Sequence, residues 1–201
     1  MPQNHQLIEL DISAPIWDHF FTIAPLVIIG TKEGTGYDMA PKHLAFPVGF
    51  HNYFGFVCTP RHSTYANVKN NQEFSVSFPK PGQEVITSLS ASPRGKELNK
   101  FQHTVGILPT EQAAITDTLV LTDCYLRLEC SLVKIIDGFD DNSIITGKII
   151  AAFVSPDYLK ESDRDEQQQL YKYPLLAYVA DGRFARVSET FNFPFPKDFM
   201  K

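Results

Sequence analysis

The segment Cys58-Thr-Pro-Arg-His-Ser-Thr-Tyr-Ala-Asn67 gathers the side chains of this sequence best suited to hold an anion. Its composition predicts a strand ending near Cys58, a polar break, and a helix starting at about Ser63 or Thr64. A helix start presents free backbone N–H groups and the positive end of the helix dipole, and both favour a phosphate. Arg61 adds a planar fork of donors, His62 offers another, and the hydroxyls of Ser63 and Thr64 complete the set. The same residues also read as an ordinary helix cap, with Ser63 or Thr64 at the N-cap.

A second segment, Tyr37 to Phe46, contains Asp38, Met39, Ala40, Pro41 and Lys42. Small residues and a proline let a backbone approach a flat ligand closely, and Lys42 can meet a phosphate or a ring carbonyl. The alternative is an irregular edge strand with a solvated lysine. A third segment, Ser92 to Phe101, is a glycine-containing loop with Lys96, Lys100 and Phe101. It can cover a ligand or simply lie on the surface.

Other chemistry is poorly represented. Nucleotide-binding glycine motifs and the GxSxG nucleophile pattern are absent. The six histidines (5, 19, 43, 51, 62 and 103) have no HxH or HxxxH spacing, so no metal site is expected. Cys58, Cys124 and Cys130 are odd in number and form no CxxC pair, which predicts buried free thiols rather than a disulfide framework. Cys124 and Cys130 share parity on one strand, so both are expected on one face. The net charge is −5, with no run of basic residues, which disfavours nucleic acid as a partner. The start, MPQNHQLIELDIS, lacks the pattern of a signal peptide, and no apolar run approaches the roughly 20 residues of a membrane span. A cytoplasmic protein with no membrane partner is expected.

The elements that would position these residues are mainly strands. Residues 13–21 suggest a short helix. Pro25–Thr31 reads as a buried strand, Lys32–Tyr37 as a hairpin turn with two glycines, and 38–48 as a returning strand interrupted by proline, at an edge or a bulge. Tyr53–Thr59 and the alternating Phe74–Phe78 follow as strands, with a short helix between them. Cys124–Ile136 and Ile144–Val154 form a long hairpin around a turn at Asp137–Asn142. Asp163–Tyr171 is helical. Sixteen Phe and eight Tyr suit a β-rich core or a flat ligand pocket. The fold class is mainly β, with a barrel as the leading architecture and short helical inserts. One domain over residues 1–201, with an N-terminal extension of about 1–22, fits the length.

In order, these segments resemble the flavin reductase-like family of FMN-binding split barrels, from about Pro25 to Val187. The resemblance is carried by Asp38-Met39-Ala40-Pro41, by Ser63-Thr64-Tyr65-Ala66-Asn67, by Phe74-Ser75-Val76-Ser77, by Leu128-Glu129-Cys130 and by Gly147-Lys148-Ile149. It implies a split β-barrel that binds FMN. Ala40, Pro41 and Lys42 would line the isoalloxazine, and Arg61, Ser63, Thr64 and Asn67 would hold ribityl and phosphate. NADH or NADPH is the implied co-substrate, a homodimer the implied assembly, and an electron-acceptor protein a further partner. FMN should then bind more tightly than riboflavin. Two positions depart from the family: Asp38 stands where an Asn is usual, and the hairpin turn reads Asp140-Asp141-Asn142 with no His. The open alternatives are an NAD(P)H-dependent flavin reductase, an FMN-binding carrier or sensor without nicotinamide turnover, and a non-flavin β-barrel module.

Overall fold

The computed structural model describes residues 7–89, 108–161 and 165–191. Its strands are β1 (Ala24–Pro25), β2 (Val27–Glu33), β3 (Gly36–Lys42), β4 (Ala45–Pro47), β5 (Tyr53–Cys58) and β6 (Glu73–Pro79). They continue as β7 (Thr110–Gln112), β8 (Leu119–Leu121), β9 (Cys124–Phe139), β10 (Asn142–Val154), β11 (Leu175–Ala180) and β12 (Arg183–Val187). The helices are short: α1 (Ser63–Asn71), α2 (Glu84–Leu89) and α3 (Glu166–Lys172).

Seven strands form one antiparallel sheet in the order β3-β2-β6-β9-β10-β5-β4. Its two edge strands, β3 and β4, are separated in sequence only by His43 and Leu44. In a flat sheet those edges would lie roughly 29 Å apart, at about 4.8 Å per strand. The link allows at most about 11 Å between Lys42 and Ala45. The sheet must therefore curl until its edges meet. This is the mainly β split barrel with short helical inserts that the sequence predicts. The proline-interrupted strand expected at an edge is in fact both edges, bent at His43–Leu44. A second sheet, β1-β11-β12, lies beside the bend, where His43 stacks on Tyr178 of β11 with ring centroids 4.2 Å apart.

β2 is buried on both faces from Val27 to Thr31, which explains its unbroken apolar run. Phe54, Phe56 and Phe74 converge on the larger core cluster, with Phe56 and Phe74 edge to face at 5.2 Å. Gly147 of β10 lies under the Phe74 ring, where a Cβ would stand 2.6 Å from Cε1.

Three expectations need correction. Residues 13–21 form only a single 3-10 turn, Trp17–His19, with no buried residue to hold a longer helix. The long hairpin keeps its ladder to Phe139, so the turn is the tight Asp140–Asp141 pair, with Asp140 at φ 51°. Cys124 and Cys130 do not share a face. Phe78 pairs with Leu126 and Pro79 with Cys124, so Tyr125 is an extra residue that breaks the alternation. Cys130 lies with Cys58 in the larger cluster, and Cys124 lies in the smaller one.

Candidate functional site

β3 and the start of α1 lie side by side because the α1 residues Thr64, Tyr65, Asn67 and Val68 are buried against the sheet. The helix begins at Ser63, and His62 occupies the N-cap in an extended conformation without a side-chain capping bond. The expected capping role of Ser63 or Thr64 is thus not realised. Their hydroxyls point instead at the edge strand: Ser63 Oγ donates to Asp38 Oδ2 at 3.4 Å, and Thr64 Oγ1 donates to the same oxygen at 3.3 Å. Asp38 is only 2% exposed.

Lys42, at the far end of β3, reaches the thiol of Cys58 on β5. Burial pushes the Cys58 thiol above its usual value, and the Lys42 ammonium pulls the other way. Asp38, Ser63 and Thr64 form one hydrogen-bonded group, and the charges of Asp38 and Lys42 both bear on the Cys58 thiol.

Arg61 lies outside this group, 71% exposed, and pairs with Asp141 of the β9–β10 turn. His62 is exposed beside it. The turn itself is tied to α1. Tyr65 donates its hydroxyl to Asp137 Oδ1 at 3.1 Å, and Ser143 Oγ donates to the same oxygen at 2.6 Å. Burial, then the Asp137 carboxylate, raises the Tyr65 phenol.

The remaining predicted residues divide. Asn67 is buried and spends its amide on Thr31 Oγ1 at 3.1 Å, bonding α1 to β2. Met39 and Ala40 are buried, whereas Pro41 and Lys42 are half-buried at the edge. Lys100 and Phe101 lie outside the described residues. Sequence reasoning missed Cys58 as the neighbour of Lys42 and Asp141 as the partner of Arg61. The signal for Asp141 was present in the paired acids of the turn, but nothing local ties them to a loop some eighty residues earlier.

Three solved structures show the same fold. Flavoredoxin from Methanosarcina acetivorans is 20% identical, with a TM-score of 0.75 over 96% of this chain and 97% of its own. The FMN-binding protein from Thermus thermophilus, with bound 1-cyclohex-2-enone, is 20% identical, with a TM-score of 0.74 over 93% and 99%. The NADH:FAD oxidoreductase SgcE6 from Streptomyces globisporus is 14% identical, with a TM-score of 0.69 over 92% and 98%. No curated protein matches the chain. The model of the flavin reductase like domain matches residues 21–187, which hold β3, β5 and the whole of α1. The chain therefore belongs to the flavin reductase-like domain family.

Proposed function

We propose that this protein is an NAD(P)H-dependent flavin reductase that works with FMN. Flavin-related redox chemistry follows from the family; FMN and the nicotinamide donor are the finer reading. The observation that carries it is the convergence of β3 and the α1 start inside the matched region. The donor set fits a flavin mononucleotide. The helix start has no capping side chain, two hydroxyls stand beside it, and an arginine rises from the preceding loop. Arg61, His62, Ser63 and Thr64 would hold the phosphate, Asn67 would support the helix that carries them, and Pro41 and Lys42 would border the ring system. Asp38, Met39 and Ala40 would back that strand from inside. Lys100 and Phe101 remain candidates for covering the ligand. When bound, FMN supplies the hydride and electron chemistry, while the protein supplies binding and orientation.

The assay is oxidation of NADH and NADPH, followed by absorbance, with FMN added. Turnover with either nucleotide supports the reading. A yellow protein with no turnover would favour the second reading, an FMN-binding carrier or sensor. A specific feature favours that second reading: the turn beside Arg61 reads Asp140-Asp141-Asn142 and lacks the His that the resemblance leads one to expect for meeting the nicotinamide or flavin. Membership of a flavin family weighs against the non-flavin module.

We also read the chain as one domain with an N-terminal extension of about 1–22, as cytoplasmic, and as a homodimer that hands electrons to an acceptor protein. Among the described residues no helix is long and apolar enough to cross a membrane. Support for the dimer comes from the exposed apolar residues Val133, Ile136 and Phe139 on β9 and Ile150, Phe153 and Val154 on β10. Sedimentation at micromolar concentration tests it.

A further inference from the structure

We propose that Asp38 and Asp141 set how tightly, and how selectively, the phosphate end of the flavin is held, by engaging its donors in the ligand's place. The inference rests on the assignment of Arg61, Ser63 and Thr64 to the flavin phosphate. Each of these three side chains is engaged with an acid of the chain itself. Asp38 takes both hydroxyls, at 3.4 and 3.3 Å, and Asp141 takes the guanidinium.

The two acids are not equivalent. A serine or threonine hydroxyl has one proton to donate. It cannot serve the Asp38 carboxylate and a phosphate oxygen together, so ligand binding must break those bonds. Asp38 lies within the β2–β3 ladder, paired with Thr31, and is 2% exposed, so it cannot swing aside. An entering phosphate thus loses two hydroxyl donors and meets a fixed like charge. Arg61 differs, because its five N–H donors can bind a carboxylate and a phosphate at once. Asp141 is 76% exposed on a turn and can move into solvent. Its effect is smaller and screened by salt.

The consequence is a flavin that exchanges. The phosphate adds less affinity than its donors would allow, so FMN and riboflavin bind within about tenfold of each other. This narrows the preference that the sequence alone suggests, and it makes the flavin a ligand taken up and released during turnover.

The test is a titration of wild type, Asp38→Asn and Asp141→Asn with FMN and with riboflavin, followed by flavin fluorescence. Asparagine at 38 keeps an acceptor for the hydroxyls and removes the charge. Asp38→Asn is expected to tighten FMN about tenfold or more, with riboflavin held within twofold. Asp141→Asn is expected to tighten FMN two- to fivefold at low salt, a gain lost at about 0.5 M salt. Should Asp38→Asn not fold, the salt-dependent gain of Asp141→Asn decides alone. Wild type that binds both flavins, with no FMN-selective gain in either variant, overturns this inference and leaves the flavin assignment standing. Wild type that binds neither flavin removes the assignment and this inference together.

Discussion

The backbone N–H of Thr116 donates to Glu129 Oε2 at 2.8 Å, deep in the barrel wall. Glu129 is 1% exposed, and its carboxylate also receives the N–H groups of Ala114 and Ile115 and the Thr116 hydroxyl. One side chain on β9 thereby holds the 114–116 loop. Burial alone would raise this carboxyl, but the three N–H groups and the hydroxyl outweigh it and hold the group below its usual value. A depressed folded value stabilises the fold above the unfolded value of about 4.3. That stability is lost as pH falls through the folded value. Glu129→Gln should cost about 3 kcal/mol at pH 7, because the amide NH2 must face N–H donors. Thermal melts from pH 7 to 3 should show a shallower acid limb in the variant.

Gly30 of β2 faces the backbone oxygen of Leu119, and an added Cβ would lie 2.1 Å from it. Ser75 Oγ would be 2.5 Å away on the other side. Neither neighbour can retreat without breaking the β2–β6 ladder or the Ser75–Leu119 bond. Gly30→Ala is expected to destabilise by about 3 kcal/mol. Urea unfolding should show a lower midpoint at unchanged slope.

Burial raises all three thiols, and Cys130 is pushed up to about 12, with the Glu129 carboxylate adding to the effect. A protonated, buried thiol is a poor nucleophile. Native protein at pH 8 should therefore resist iodoacetamide, and all three sites should react once unfolded in guanidinium. Mass spectrometry of the alkylated protein reads both states. Alanine at Cys130 should lower stability and leave flavin affinity within a few-fold.

Arg61 and Thr64 differ in what their removal deletes. On the proposed phosphate assignment, Arg61→Ala would delete a charge-assisted contact, whereas Thr64→Val would delete one neutral donor that Asp38 already occupies. Arg61→Ala should weaken FMN roughly 5- to 30-fold, and Thr64→Val no more than about threefold. Riboflavin affinity should stay nearly unchanged in both. Paired titrations check the order, and equal loss of both flavins would return these residues to a purely structural role.

The strands of the barrel core were readable because their residues state their burial directly. Val27–Ile29 is a continuous apolar run, and Phe74–Phe78 alternates in polarity, which marks the strand although Ser75 and Ser77 are themselves buried. Alternation says nothing about partners, however, so the shared segment that forms both edges was visible only as one irregular strand. A parity count assumes an unbroken strand, and the extra residue at Tyr125 defeated it. The small β1-β11-β12 sheet escaped notice because its strands are short and of mixed burial. At the site, the residue types around Arg61 and Thr64 marked out a candidate anion site, and the structure sets Ser63 and Thr64 against Asp38 and Arg61 against Asp141. Those acid partners were not legible, since Asp38 and Asp141 reach them only through the closed barrel.

The two-residue link at His43–Leu44 also bears on folding kinetics. Closing the barrel there needs almost no further loop entropy once β3 has paired with β2 and β4 with β5. The pairings that close the longest loops lie elsewhere, in β5–β10 and β1–β11, whose partners are drawn from distant parts of the chain. A glycine spacer inserted between His43 and Leu44 is therefore expected to leave the refolding rate almost unchanged and to speed unfolding, the pattern of a contact formed after the transition state.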